Sequence, residues 1–373
     1  MRRKQEQKIA DDLKKKMVFI TGPRQVGKTW LARKIMASYA RPVYLNYDHI
    51  EDRAIMRSER WPSSADLIVF DEIHKMRGWK NYLKGVFDTK DPSLHMLITG
   101  SARLDTFRQS GDSLAGRFFT HHLLPFSLAE LAGTEHAKSM DRLIARGGFP
   151  EPFLAENDTE AARWRVDYVD SLVREDVLDF ERIHDARAIR TIFELLRRKV
   201  GSPVSYSSLA RDADISPATA KKYVEILEAL YVVFRVVPHS GKIASAIRKE
   251  PKAYFFDTGL VIGGEGARFE NFIALSLHKH AMGRNDFLGE RTNVRYARLK
   301  DGRETDFVLV NEHEPTLAVE AKVRDGGISK PLAFFAERFG VHGVQVVKDL
   351  KHEQSIGAVD IVRADSYLQG LFL

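Results

Sequence analysis

Short, unbroken apolar runs punctuate the first hundred residues. Met17-Val18-Phe19-Ile20, Leu67-Ile68-Val69-Phe70 and His95-Met96-Leu97-Ile98 show little polar alternation, as strands covered on both faces do. After the first run, Trp30-Leu31-Ala32-Arg33-Lys34-Ile35-Met36 has helical spacing. Strands of this kind joined through helices predict an α/β fold with a parallel sheet. From about 125 to 183 the pattern is helical, with turn signals at Gly133, Gly147-Gly148, Pro150 and Pro152, and predicts a helical extension. Residues 189–198, 207–213 and 217–230 then read as three helices, the last with Ser216 as N-cap and Pro217 in its first turn. Two strands, 231–237 and 253–256, flank the basic stretch 242–252. Near the C-terminus residues 303–310 and 317–323 read as paired strands, and period-two alternation puts Glu320 and Lys322 on one face.

The first run leads into Gly22-Pro23-Arg24-Gln25-Val26-Gly27-Lys28-Thr29, which satisfies G-x-x-x-x-G-K-[ST] between a strand and a helix. Its glycines let the backbone approach an anion, and its N–H groups would face a phosphate beside the positive end of the helix. Lys28 would reach the β/γ-phosphates and Thr29 would hold Mg²⁺, so ATP and Mg²⁺ are the expected cofactors. Asp71, ending the second run, would hold the ion through water, and Glu72 would polarise the attacking water. In the plainer alternative both simply cap the next helix. The third run ends in Thr99-Gly100-Ser101, where Thr99 or Ser101 would sense the γ-phosphate or serve only a turn. Arg103 and Arg117 are candidate arginine fingers, in cis or from a neighbouring subunit, or ordinary surface arginines.

Composition narrows the field. A length of 373 residues suggests two or three domains. The absence of cysteine excludes disulfides, thiolate metal sites and cysteine nucleophiles and agrees with a cytoplasmic setting. No run approaches the ~18 apolar residues of a membrane span. A formal net charge of +7 favours polyanions without requiring one. Residues 1–16, polar and basic, read as a short helix or arm, with nucleic-acid contact a weak option. His121-His122 reads as structural, and Phe118-Phe119, Phe255-Phe256 and Phe334-Phe335 as core or strand residues.

Gly22–Thr29, Phe70-Asp71-Glu72-Ile73-His74-Lys75, Thr99-Gly100-Ser101-Ala102-Arg103 and Leu114-Ala115-Gly116-Arg117 followed by Leu124-Pro125-Phe126-Ser127 together resemble the prokaryotic AAA-type ATPases. The similarity is to the branch carrying a C-terminal domain of unknown function. Gly147-Gly148-Phe149-Pro150 and Lys252-Ala253-Tyr254-Phe255-Phe256-Asp257-Thr258-Gly259-Leu260 are similar to blocks of that module. The resemblance spans nearly the whole chain and implies an ATPase core, a winged-helix middle and a nuclease-like end. The expected divisions are a P-loop ATPase domain at 1–125, a helical extension at 126–185, a winged helix at 186–258 and a PD-(D/E)xK-like α/β domain at 259–373. Gly22 to Thr29, Ser101 and Arg117 are the expected nucleotide contacts, with Thr29 and Asp71 on the metal.

In the middle region Thr219, Lys221 and Lys222 would face DNA from the third helix, and Lys242, Arg248 and Lys249 from the wing. The same fold also serves protein docking. In the last region Asp306, Glu320 and Lys322 are similar to the PD-(D/E)xK signature, although Thr305 stands where that signature has proline. Glu270 matches the additional acid. Glu270, Asp306 and Glu320 would share Mg²⁺, with Lys322 beside the attacking water. The expected function is Mg-ATP hydrolysis controlling engagement of DNA. The alternatives are a nucleotide-gated protein switch with an inactive nuclease-like domain, or an ATP-regulated metal-dependent nuclease. Self-assembly is compatible with the class, and nothing in the residues fixes a ring.

Overall fold

The three apolar runs become central strands of one sheet. In the computed structural model, which describes residues 3–100, 114–172, 185–239, 250–299 and 301–373, the chain divides into two units, Met1–Leu124 and Pro125–Leu373. The first unit contains strands β1 (Met17–Thr21), β2 (Pro42–Asn46), β3 (Leu67–Asp71), β4 (His95–Thr99) and β5 (Phe118–His122). All pairs are parallel, in the order β2-β3-β4-β1-β5. β4 lies between β1 and β3, with Thr99 in register with both Ile20 and Asp71. The carboxyl ends of the loop-bearing and acid-bearing strands therefore converge, as a ligand site on such a sheet requires.

β1 and β3 are buried along their whole length, which is why neither carries a polar alternation. Helices α1 (Gln5–Leu13), α2 (Lys28–Met36), α3 (Ile50–Ser58) and α4 (Trp79–Thr89) complete the unit. Phe19, Phe70, Ile73, Trp79, Leu83, Met96 and Ile98 share one core cluster. Each such side chain contributes about 1.5–3 kcal/mol when fully buried. Phe118 packs edge-on against Phe19 with ring centroids 5.1 Å apart.

One face of the polar N-terminal segment is used inward. Ile9 and Leu13 of α1 are buried, and Asp12 Oδ2 lies 3.0 Å from Nε2 of buried His121, a structural role for that histidine. Arg3, also buried, donates to the carbonyls of Val26 in the glycine loop (2.8 Å) and of Leu124 (3.0 Å).

The second unit is built on an eight-stranded sheet. Its strands are β6 (Val233–Pro238), β7 (Lys252–Phe255), β8 (Thr292–Arg298), β9 (Glu304–Asn311), β10 (Glu314–Arg324), β11 (His342–Asp349), β12 (Gln354–Ile356) and β13 (Val359–Arg363), ordered β12-β13-β11-β10-β9-β8-β6-β7. Helices α5 (Ala186–Arg197), α6 (Tyr206–Ala213) and α7 (Pro217–Ala229) precede the antiparallel β6–β7 pair. Ser216 caps α7 by accepting from the Thr219 N–H at 3.1 Å, with Pro217 in the first turn. α8 (Glu265–Leu288) and α9 (Lys330–Phe339) follow. The sheet continues through the division expected at 258/259, because β6 also pairs in parallel with β8, Val237 against Arg295.

The two sequence blocks singled out in this half meet. Gly147 has φ +76°, and a Cβ there would lie 1.7 Å from Oδ1 of Asp257. Only glycine lets the buried carboxylate come that close. Asp257 in turn accepts from the Gly259 N–H at 3.0 Å, opening the short turn Thr258–Leu260.

Candidate functional site

The glycine loop links β1 to α2, with Gly27 in the left-handed region (φ 97°) at the start of the helix. A Cβ on Gly22 would stand 2.2 Å from the Leu123 carbonyl oxygen, so the loop is seated against the segment after β5. Lys28 folds back over it, donating to the carbonyls of Gly22 (3.0 Å) and Pro23 (2.6 Å). Arg24 and Gln25 occupy the loop's outer turn, Gln25 at φ 58°, while Val26 is fully buried beneath it.

Asp71 is the centre of this site. Its Oδ2 accepts from the Thr29 hydroxyl at 3.1 Å and from the Tyr44 hydroxyl at 2.5 Å, while Oδ1 accepts from the Thr99 hydroxyl at 2.5 Å. Loop, β2 and β4 thus each place a hydroxyl on one carboxylate. A hydroxyl and a carboxylate side by side below a phosphate loop are hard oxygen donors and fit Mg²⁺. Glu72 follows at φ 55°, a strained conformation for a non-glycine residue that turns its side chain away from the strand's alternation. Its carboxylate lies 3.5 Å from His74 Nε2 and 3.7 Å from Lys75 Nζ. Burial raises its pKa, with Asp71 adding to the rise and Lys75 and Lys28 opposing it. A carboxylate raised in this way is better matched to accept a proton near neutrality.

Within the chain, Arg117 is not brought to the glycine loop. Parallel pairing sets Met17 of β1 against Phe118 of β5, so Arg117 precedes the amino end of its strand, whereas the glycine loop follows the carboxyl end of β1. There it makes a two-pronged bond to Asp88, at 2.8 and 3.0 Å. Within one chain it does not contact a nucleotide at Lys28. Ser101 and Arg103 lie outside the described residues. Sequence reasoning missed Tyr44. Its one signal is a tyrosine inside the otherwise apolar Val43-Tyr44-Leu45.

A second constellation lies in the sheet of the other unit. Asp306 on β9 and Glu320 on β10 stand on paired antiparallel strands. The Asp306 N–H points at Glu320 Oε2 (3.4 Å), and the Ala321 N–H donates to Asp306 Oδ2 (3.0 Å). Lys322 Nζ reaches Glu320 Oε1 at 2.8 Å, the same-face placement that the alternation predicts. Glu270 joins from α8, where its Oε1 accepts from the hydroxyl of buried Tyr254 at 2.7 Å. Lys252, beside Tyr254 on β7 and 2% exposed, lies 2.5 Å from Glu304 Oε1 and 3.7 Å from Glu270 Oε1. The carboxylates sense one another. Burial, then repulsion from Asp306, pushes Glu320 up to about 7, and burial raises Glu270 and Asp306 as well. Burial pulls Lys252 down, but Glu270, Asp306 and Glu304 outweigh it and hold its pKa above the ordinary value.

As arranged, these carboxylates do not fit a divalent ion. Among the described residues no group of three or more His, Asp or Glu is placed to hold a metal. Backbone N–H groups, Tyr254 and two lysines take up the oxygens instead. Lys252 and Tyr254 were not foreseen as partners of Glu270, nor Glu304 as a partner of Lys252. The signal was a lysine two residues from a tyrosine in a run of buried residues. The wing residues Lys242, Arg248 and Lys249 lie outside the described residues, while Lys221 and Lys222 are exposed on α7.

The all-parallel sheet and its glycine loop are those of a P-loop nucleotide-binding domain. Residues 14–132 match the family model of an AAA domain, and residues 137–266 match a domain of unknown function (DUF8612). The first unit is thus an AAA-type P-loop ATPase domain. An uncharacterized protein of Mycobacterium tuberculosis, Rv2008c, is 29% identical over 247 residues, covering 66% of this chain and 55% of the relative. The chain therefore spans a little over half the length of its mycobacterial relatives. An uncharacterized protein of Methanocaldococcus jannaschii, MJ1544, is 21% identical over 339 residues, 82% of this chain and 74% of the relative. Among solved structures, the Walker-type ATPase paby2304 of Pyrococcus abyssi is similar, with a TM-score of 0.44 and 13% identity over 70% of this chain and 94% of that one. No helix among the described residues is long and apolar enough to cross a membrane.

Proposed function

We propose that the first unit binds and hydrolyses Mg-ATP and that turnover governs how the second unit engages DNA. The observation carrying the ATPase reading is the convergence on Asp71 of hydroxyls from the glycine loop (Thr29) and the neighbouring strand (Thr99), with Glu72 next in sequence. Backbone N–H groups of residues 22–29 and the Lys28 ammonium would hold the phosphates, and Thr29 and Asp71 would hold Mg²⁺. The ion, when bound, supplies positive charge to the phosphates. To meet a phosphate, Lys28 gives up its two loop carbonyls. Thr99, fixed on Asp71, keeps the acid's orientation, and Glu72 takes a proton from water.

For the second unit we read α5–α7 with the β6–β7 pair as a winged helix and the sheet bearing Asp306 and Glu320 as nuclease-like. Exposed Lys221 and Lys222 on α7 support contact with phosphates. One observation favours a protein partner instead. Glu225 lies 3.8 Å from both Lys221 and Arg235, and Arg235 pairs with Glu228 at 2.6 Å, so acids interleave the bases on this face. Steady-state ATP turnover with and without duplex DNA, across a salt series, separates the two. Stimulation that fades as salt rises and vanishes in Glu72→Gln supports the DNA reading. Turnover indifferent to DNA transfers the role to a protein partner. No turnover in the parent chain overturns the ATPase reading.

A further inference from the structure

A nuclease-like centre of three carboxylates is expected to draw a divalent ion, yet this one contains a cation of its own. Lys252 is 2% exposed, too deep to meet a substrate, and its ammonium lies 2.5 Å from Glu304 and 3.7 Å from Glu270. A buried ammonium persists only when paired, and these two acids are its partners. The Tyr254 hydroxyl fixes the same Glu270 oxygen that faces Lys252. The Tyr296 ring covers the ammonium, its centroid 5.4 Å from Nζ. On the other side Asp306 and Glu320 are tied to backbone N–H groups and to Lys322. The acids are held by five protein groups from three strands, with no three of the acids left convergent.

We infer that Lys252 is the resident cation of this centre, holding Glu270 and Glu304 where a metal-dependent enzyme would hold a divalent ion, so that the C-terminal unit takes up no metal there. Its chemistry would then be recognition or scaffolding rather than metal-assisted hydrolysis, which rests on reading the sheet as nuclease-like. Removing the ammonium while keeping its apolar stem would leave carboxylates facing one another, and a divalent ion would become the available remedy.

The test is Mn²⁺ titration of the full, nucleotide-free chain, followed by the electron paramagnetic resonance signal of free Mn²⁺. Parent and Asp306→Asn chains should give superimposable curves. Lys252→Met should gain one Mn²⁺ site, which the added Asp306→Asn change abolishes. A parent chain that binds Mn²⁺ and loses it in Asp306→Asn overturns the inference. That comparison decides it without any Lys252 variant, should Lys252→Met fail to fold. A folded Lys252→Met chain that gains no Mn²⁺ overturns the role given to the lysine. ATP turnover and DNA binding are not read in this titration, so failure of either leaves its outcome standing.

Discussion

Tyr44 donates its hydroxyl to Asp71 Oδ2 at 2.5 Å, from the strand beside the one that carries the acid. It shares that oxygen with Thr29 of the glycine loop. Tyr44 therefore sets how freely Asp71 turns toward an ion. In Tyr44→Phe, nucleotide affinity in Mg²⁺ should fall roughly fivefold, about 1 kcal/mol for one lost hydrogen bond. Affinity in EDTA should stay put. Fluorescent-nucleotide titrations under both conditions check this, and equal losses in both would place the tyrosine's effect on the loop instead.

Lys28 spends its ammonium on the Gly22 and Pro23 carbonyls at 3.0 and 2.6 Å. Exchanging these neutral acceptors for a phosphate gains a charge-assisted bond. Lys28→Ala should weaken ATP by at least about tenfold, some 1.4 kcal/mol. Parental affinity in that variant, measured by calorimetry, would remove the phosphate-loop assignment.

How much of this was legible beforehand divides by distance along the chain. Gly22 to Thr29 and Asp71-Glu72 could be read because each motif is local and closes an apolar run. The same-face pairing of Glu320 with Lys322 follows from strand periodicity alone. Tyr44 and Lys252 could not be placed, since each reaches its acid through strand order and register. The place of Arg117 was hidden for the same reason, because the β1–β5 register decides at which end of the strands it stands. The continuous sheet of the second unit was hidden because the two strands flanking the basic stretch read as a self-contained hairpin, with a boundary after it at 258/259, whereas β6 also pairs with distant β8.

Gly147 and Gly133 have nearly the same left-handed backbone, φ 76° and 77°, but different surroundings. A Cβ at Gly133 meets nothing within 4 Å, whereas one at Gly147 runs into Asp257. Gly133→Ala should cost about 1 kcal/mol, the backbone penalty alone. Gly147→Ala should cost at least about 3 kcal/mol, because the carboxylate it displaces is buried and caps a turn. Urea melts of the two variants would show the gap, and equal losses would deny the contact.

Asp257 should also shape the pH dependence of stability. Burial lifts its pKa from 3.8 to about 6, against the pull of Arg165, whose Nε lies 3.6 Å from Oδ2. The folded chain thus binds this proton more tightly than the unfolded chain. Its contribution is complete below about pH 4 and is lost as the pH rises through about 6, a loss on the order of 3 kcal/mol. Asp257→Asn should flatten that fall. Melts at intervals from pH 4 to 7 in which parent and variant decline in parallel would reject the assignment.

β6 joins β7 on one side and β8 on the other, so the hairpin after α7 and the strands bearing Asp306 and Glu320 belong to one sheet. A fragment cut at residue 258 to isolate either half would part Val237 and Pro238 from Arg295 and Tyr296 and leave that stretch of β8 without its neighbour. Such a raw edge recruits other chains. Pieces made this way would precipitate or pair with themselves.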